Sequence, residues 1–188
     1  MKKLFIYIIV GFLPFSQAVA VDTEQLTQQS QAAIKALGGE LKSTLQASIK
    51  ASGPVDTISV CNTQAPQISN KISTVKGLKV GRTSLKYRNQ ENKPDDWEKS
   101  VLEQFEQRKT NGEAVNAMDF SEMTEHKGNK VFRYMKAIVT DEVCMNCHGS
   151  NLAPPIASRI KSLYPDDKAT GYKKGDIRGA FTVIQPVN

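Results

Sequence analysis

The chain has 188 residues, of which 39% are hydrophobic and 23% are charged, and its formal net charge is +6. This length is sufficient for one domain with a substantial hydrophobic core. The basic residues are scattered among acidic neighbours and form no runs, so the charge pattern does not indicate nucleic-acid binding.

Residues 1–20 have the pattern of a signal peptide. Two lysines follow Met1, residues 4–15 form an apolar stretch, and Ala18-Val19-Ala20 provides the small-residue pattern of a cleavage site. The alternative is a transmembrane anchor, but the apolar stretch is shorter than the roughly 20 residues that a membrane helix needs. We therefore predict cleavage after Ala20, export, and a single domain over residues 21–188 with no further membrane span.

The exported part begins with a helical pattern that ends near Pro54. Apolar residues recur at spacings of three and four, at Ile34, Leu37, Leu41, Leu45 and Ile49. Gly38-Gly39 predicts a kink or a break in this helix, because glycine weakens a helix interior. Ser52-Gly53-Pro54 predicts its end, with Pro54 in the first turn of a second helix.

The second helix has one apolar face, formed by Ile58, Cys61, Ala65, Ile68 and Ile72. We therefore expect the Cys61 thiol to point inward with this face. Pro66 cannot donate a hydrogen bond to the carbonyl of Asn62, so the helix should bend just after Cys61.

Strand patterns dominate the rest of the chain. Residues 78–88 predict a strand that continues into a loop, and Asp95 or Asp96 is suited to cap a helix. That helix carries Trp97, Val101 and Phe105 on one face and ends at Asn111-Gly112.

Two further extended segments, residues 114–126 and 130–140, are joined by a predicted turn at Gly128-Asn129. A short helix over Ala153 to Leu163 and a closing strand over Ile177 to Val187 complete the pattern. The fold class is therefore α+β, with an N-terminal helical segment.

The motif Cys144-Met145-Asn146-Cys147-His148 has the C-x-x-C-H spacing of covalent haem c attachment. Two thiols on one short turn can each form a thioether with a haem vinyl group, and the adjacent imidazole can ligate the iron from the proximal side. A redox thiol pair or half of a zinc site would share part of this pattern. The predicted export favours haem c, since bacterial haem attachment occurs outside the cytoplasm, and the sequence has no second Cys/His pair for zinc.

The position of the motif disfavours two common designs. No methionine follows Met145 to ligate the iron, as it would in small electron-transfer cytochromes c. About 40 residues follow the motif and end in a strand pattern, unlike the last helix of a cytochrome c′ bundle.

The third cysteine, Cys61, has no disulfide partner within the chain once the motif uses the other two. It could be an inert buried thiol, it could pair between chains, or it could ligate the haem iron opposite His148.

Five segments together resemble a family of bacterial c-type haem proteins that is catalogued as a domain of unknown function. The segments are residues 60–68 (VCNTQAPQI), 81–89 (GRTSLKYRN), 92–98 (NKPDDWE), the haem motif with Gly149, and residues 171–179 (GYKKGDIRG). The similarity extends over nearly the whole exported chain. Gln90 departs from the proline expected after Arg88-Asn89, a change that should affect only a turn.

This resemblance implies a PAS-like fold, in which helices flank an antiparallel sheet that holds one covalent haem. It also implies that Cys61 is the sixth iron ligand, opposite His148. Thiolate donates strongly to iron and lowers the reduction potential. Members of the family occur alone or as the extracytoplasmic sensor part of signalling proteins.

Four other side chains are alternatives to Cys61 as the sixth ligand. His126 precedes a predicted hairpin tip, where a solvated histidine is the usual finding. Met135 alternates with apolar residues and fits core packing, and Met118 and Met123 fall on opposite faces of one strand. An open coordination position is the remaining alternative.

Four basic or hydroxyl side chains, Arg82, Lys86, Tyr87 and Arg88, are candidates to hold the haem propionates. Two carboxylates near a buried macrocycle need cations or hydrogen-bond donors. Ordinary surface charge is the alternative for each of these residues.

Two functions follow for a periplasmic monohaem protein with an unidentified redox or signalling partner. The first is redox or gas sensing, in which a ligand displaces Cys61 and alters the second helix. The second is electron transfer. A peroxidase-like enzyme is disfavoured, because the sequence offers no second histidine in a suitable place.

Overall fold

The computed structural model describes residues 22–187, so the predicted signal peptide lies outside the described residues. Residues 22–187 contain four α-helices: α1 (Thr23–Lys76), α2 (Asp96–Thr110), α3 (Met145–His148) and α4 (Pro154–Leu163). The strands are β1 (Lys79–Thr83), β2 (Asp119–His126), β3 (Asn129–Val139) and β4 (Ile177–Pro186). Within these described residues, no helix combines the length and hydropathy that a membrane crossing requires.

Helix α1 is two helical segments that meet at a sharp reversal. Gly53 has φ 76° and ψ 173°, and the backbone is helical on both sides of it. The two segments lie against each other, since Ser48 and Thr57 hydroxyls are 2.9 Å apart and Lys71 forms a 3.0 Å ion pair with Glu40. The predicted boundary at residues 52–54 is therefore confirmed.

The predicted kink at Gly38-Gly39 is wrong, because both residues are helical. A Cβ added to Gly38 would lie 3.1 Å from Cζ of Phe181 on β4. Gly38 thus allows α1 to approach the sheet closely, and it does not break the helix. Pro66 also lies within helical backbone, in the second segment of α1.

The four strands form one antiparallel sheet in the order β1-β4-β3-β2. On one face, Ala33, Ile34 and Leu37 of α1 pack against a cluster that includes Tyr134 and Val183. On the other face, Val101, Leu102 and Phe105 of α2 pack against Met135 and Ala180. The predicted α+β class, an antiparallel sheet flanked by helices with an N-terminal helical segment, is confirmed.

Two predicted boundaries on the β2 side require correction. Residues 115–117 form a short 3₁₀ turn instead of the start of a strand, and β2 begins at Asp119. The hairpin turn is Lys127-Gly128, with φ values of 52° and 78°, because His126 pairs with Asn129 across it. Successive positive φ values match the right-handed twist of a hairpin.

Asp95 is the N-cap of α2, as one of the two predicted alternatives. Its carboxylate accepts from Glu98 N at 2.8 Å, while the Glu98 carboxylate accepts from Asp95 N at 3.1 Å. The same two carboxylates form ion pairs with Arg133, which is only 2% exposed on β3. This pairing fixes the start of α2 on the sheet, and it buries an arginine that the strand pattern alone does not reveal.

Candidate functional site

The C-x-x-C-H motif lies on two short turns that follow β3. Residues 142–144 form a 3₁₀ turn that continues into the four-residue helix α3. Asp141 caps the first turn, with its carbonyl accepting from Cys144 N at 3.0 Å. The Cys144 and Cys147 thiols are both free and half-buried.

One cavity of about 790 Å³ is lined by all three cysteines and by His148. Apolar side chains from both segments of α1, from β3 and from the following turn form much of its wall: Leu45, Ile49, Ile58, Ile138 and Val143. The cavity continues around β1 toward α2. Its volume is within the range of sites that hold small molecules and cofactors.

The imidazole of His148 is held by one strong hydrogen bond. Its Nδ1 lies 2.7 Å from the carbonyl oxygen of Ala169, so Nδ1 carries the hydrogen and donates it. Nε2 then has a free lone pair, the arrangement found in metal-ligating histidines. Burial lowers the pKa of His148 well below its ordinary value, and the nearby Arg178 and Arg88 charges lower it further.

Residues 167–172 form a segment that follows the motif closely. Tyr172 N donates to the carbonyl of His148 at 3.0 Å, and Gly171 N donates to the carbonyl of Gly149 at 3.1 Å. The Tyr172 ring lies edge-on to the imidazole, with centroids 6.3 Å apart. The backbone of this segment therefore fixes both the main chain and the side chain of His148.

Arg88 joins this segment to the motif. Its guanidinium binds Asp167 through two contacts of 3.0 and 3.1 Å. The same guanidinium donates to the carbonyl of Cys147 at 2.7 Å and to that of Ala169 at 3.3 Å. Asp167 occupies the forked donor group of Arg88. The guanidinium is therefore placed to bind the backbone beside His148, and it is less available to a haem propionate.

Cys61 lies on the second segment of α1 and differs from the prediction in one respect. Ile58, Ala65, Ile68 and Ile72 are buried on the predicted face, but Cys61 is exposed. The thiol lines the cavity, so the surface it faces is that of the cavity and not of the packed core. The surrounding protein raises its thiol pKa by desolvation, and the positive charges of Arg82 and Arg88 oppose this effect.

The remaining propionate candidates separate into two groups. Arg82 and Tyr87 line the cavity. Arg82 forms no ion pair with a carboxylate of residues 22–187, and burial lowers its pKa. Lys86 is not part of the cavity wall. Its ammonium lies 5.1 Å from the centre of the Tyr172 ring. The geometry thus favours Arg82 and Tyr87 as partners for an anionic group.

The alternative iron ligands are placed less well than Cys61. Met118 and Met135 are fully buried in the core between the sheet and α2. Met123 is 40% exposed on β2. His126 also lines the cavity, but it lies on the α2 face of β2, the face that carries Glu122 directly opposite Arg133 of β3. The α1 face, where Cys61 lies, holds none of these four side chains at the cavity.

Sequence reasoning missed Asp167 and Ala169, which hold Arg88 and His148. It also missed Arg178, which lines the cavity and donates to Ser84 Oγ at 3.2 Å. Residues 171–179 supplied part of the family resemblance, and that was the available signal for Arg178. Asp167 and Ala169 have no such signal, since their roles depend on backbone contacts formed over long distances in the chain.

These residues fit a covalently attached haem. Two thiols on adjacent turns, an imidazole with a free Nε2, a thiol elsewhere on the wall and a cation without an ion pair match its vinyl groups, iron and propionates. Within residues 22–187, no group of three or more His, Cys, Asp or Glu side chains could hold a metal ion directly. The two motif thiols and the imidazole suit a macrocycle that supplies most of its own iron ligands.

Comparison with known proteins agrees with this fold. The crystal structure of the cyanobacterial heme-protein Tll0287 matches with a TM-score of 0.64 and 24% identity, over 89% of this chain and 98% of that chain. No curated protein matches the sequence. The Tll0287-like family matches residues 16–186, and the chain therefore belongs to the Tll0287-like family.

Proposed function

We propose that this protein is an exported monohaem c-type protein that senses redox state or a gas in the periplasm. The observation that carries the proposal is the shared cavity, where Cys144, Cys147 and His148 meet Cys61 from a distant part of the chain. Two further findings support haem: membership of the Tll0287-like family, and the fold shared with a protein described as a cyanobacterial heme-protein.

The two motif thiols would hold the haem covalently. Each S–H group adds across one vinyl group, so that a carbon–sulfur bond forms and the thiol hydrogen passes to the other vinyl carbon, without net oxidation. They lie on adjacent turns, and both cysteines line the same cavity.

His148 and Cys61 would ligate the iron from opposite sides. The Ala169 carbonyl directs Nε2 of His148 toward the cavity, and the Cys61 thiol lies on the cavity wall. A bound haem supplies one-electron chemistry and a coordination position that a small gas can occupy. Release of Cys61 would change what holds the second segment of α1, and that segment could report the event to a signalling partner.

Electron transfer is the alternative, and the rigidity of the His148 side favours it. Backbone and side-chain hydrogen bonds hold this ligand, which would keep its geometry unchanged when the iron gains an electron. An acidic redox partner would suit the net positive charge of the chain. We assign no enzymatic activity to either form of the proposal.

Covalent attachment is tested by mass spectrometry of the protein exported from a strain with haem c maturation. The mature chain should begin after Ala20 and carry one haem. Cys144→Ala with Cys147→Ala should abolish attachment, while Cys61→Ala should retain it. A wild-type chain without haem would overturn the proposal.

The sixth ligand and the choice between the two functions are tested by optical and EPR spectra. Oxidised wild type should show a low-spin thiolate signature that Cys61→Ala loses, while Thr63→Ala, on the same helix but outside the cavity wall, retains it. An unchanged Cys61→Ala spectrum would exclude this ligand. Binding of CO by the reduced wild type would support sensing, and indifference to CO with rapid reversible reduction would support electron transfer.

A further inference from the structure

We propose that the Arg88–Asp167 ion pair is a positioning device that orients the imidazole of His148 and balances the charge beside it. This inference rests on the proposed haem function and assigns Arg88 and Asp167 a role in setting the reduction potential.

The contacts form a closed chain between the ion pair and the imidazole. Asp167 Oδ1 accepts from Ala169 N at 3.0 Å, and the carbonyl of Ala169 accepts from His148 Nδ1 at 2.7 Å. Arg88 contacts this chain at two points, Asp167 and the Ala169 carbonyl that accepts from the imidazole. Ala169 is fully buried, so its carbonyl has little freedom to reorient.

Arg88 also restrains the motif itself. Its donation to the Cys147 carbonyl at 2.7 Å fixes the residue that precedes His148. A single guanidinium thus contacts the backbone beside the ligand and the backbone that accepts from the ligand. Lysine could not reproduce this arrangement, because it lacks the planar fork of donors.

The pair is also electrically balanced where water screens poorly. The Arg88 and Asp167 side chains are 11% and 8% exposed. Removing one member leaves the charge of the other beside the ligand, in surroundings that screen it less than water does. A remaining carboxylate should stabilise ferric iron, and a remaining guanidinium should stabilise ferrous iron.

The test is a redox titration of haem-loaded wild type, Arg88→Gln and Asp167→Asn, with dithionite as reductant and mediators present. We expect Arg88→Gln to lower the ferrous-to-ferric ratio at fixed ambient potential by about tenfold, which is about 59 mV for one electron. Asp167→Asn should raise that ratio by a similar factor. Opposite signs identify charge balance, since loosened structure alone would not reverse its sign between the two variants.

Two controls separate charge from geometry. Arg88→Lys retains the positive charge and should stay within about threefold of wild type. Glu113 follows α2 and forms an ion pair with Arg108 of that helix. Glu113→Gln removes this carboxylate and should leave the ferrous-to-ferric ratio within about twofold of wild type. Shifts of the same sign in Arg88→Gln and Asp167→Asn, or no shift in either variant, would overturn this inference. The proposed function would stand in that case, provided that the wild type carries covalent haem.

A measurement on the wild type covers the case in which the variants do not fold. The Nδ1 hydrogen of His148 should be visible by NMR in the haem-loaded protein and should exchange slowly with solvent. Exchange as fast as that of a solvated imidazole would overturn the orienting role of the Ala169 carbonyl.

Discussion

The two sides of the cavity are built in different ways. On the His148 side, backbone hydrogen bonds from residues 171–172 and a buried ion pair hold the motif and its imidazole. On the Cys61 side, one exposed thiol lies on a helix whose position depends on the packing of α1 after the reversal at Gly53. An imidazole held by local backbone contacts is fixed, whereas a thiol on a packed helix can move without disturbing those contacts. Under the proposed function, this difference would let Cys61 leave the iron while His148 stays in place.

The largest expected effect is on the fixed side. Arg88→Ala would leave Asp167 buried without its cation, and we expect a loss of about 3–5 kcal/mol in the free energy of unfolding. Urea denaturation measures this loss. Lys99→Ala, which removes an exposed ion pair with Glu103, is the control and should cost less than about 0.5 kcal/mol. Equal effects would show that the proximal pair is no more than a surface contact.

The close approach of β4 to β1 should rank next. Gly179 has φ 148°, and a Cβ there would lie 2.3 Å from the carbonyl oxygen of Thr83. Because a backbone atom cannot move aside easily, Gly179→Ala should cost about 2–4 kcal/mol in thermal or urea unfolding. Gly171→Ala, with φ 80° and nothing within 4 Å of the added Cβ, should cost only about 1 kcal/mol. A larger loss for Gly171→Ala than for Gly179→Ala would contradict the close packing of β4 against β1.

Acid should lower the free energy of unfolding of the haem-free protein. The expected loss lies between that of Gly179→Ala and the small change expected for Cys61→Ala. His148 has a lowered pKa when folded, mainly through burial, so the unfolded chain binds a proton that the folded chain does not. Stability is therefore complete above the ordinary histidine pKa and falls below it, by about 1.4 kcal/mol per pH unit at most. Urea titrations from pH 7.5 to 5.5 should show this fall in wild type and in His126→Gln. In His148→Gln the fall should be absent, and its persistence would disprove the assignment.

The smallest effect should come from the Cys61 side of the cavity. Cys61→Ala in the haem-free protein removes a thiol that lines a cavity, so the free energy of unfolding should change by less than about 0.5 kcal/mol. Ile58→Ala, a buried residue on the same helix at 3% exposure, should cost about 2–5 kcal/mol. A large loss for Cys61→Ala would mean that its thiol packs as part of the core.

Features that depend on neighbouring residues were predicted well. The helix boundary at Gly53, the Asp95 cap and the closing strand follow from local propensity, and the C-x-x-C-H motif is local by nature. The Gly38 kink failed because packing against Phe181 outweighed the weak helix propensity of glycine.

Contacts between distant residues were not predictable from the same patterns. Arg88 and Asp167 are 79 positions apart, and neither side chain belongs to a periodic apolar pattern. The strand pattern does not reveal that Arg133 is buried, because a charged residue within a strand usually faces solvent, whereas here Asp95 and Glu98 at the start of α2 supply two carboxylates to its guanidinium. Cys61 was placed on the correct helix, but the cavity that it faces arises only when that helix packs against the sheet.

The separation of Cys61 from the C-x-x-C-H motif in the chain has a consequence for assembly of the proposed haem protein. Cys144, Cys147 and His148 lie within five consecutive residues, so under the proposed function the haem could be attached while the rest of the chain is unfolded. Cys61 lies 87 positions earlier and reaches the cavity only after a large loop closes, which is a slow and late kind of contact. We therefore expect the thiolate band to develop last in stopped-flow refolding of the haem-loaded chain. Its appearance would time the docking of α1, and a band formed within the mixing time would refute this order.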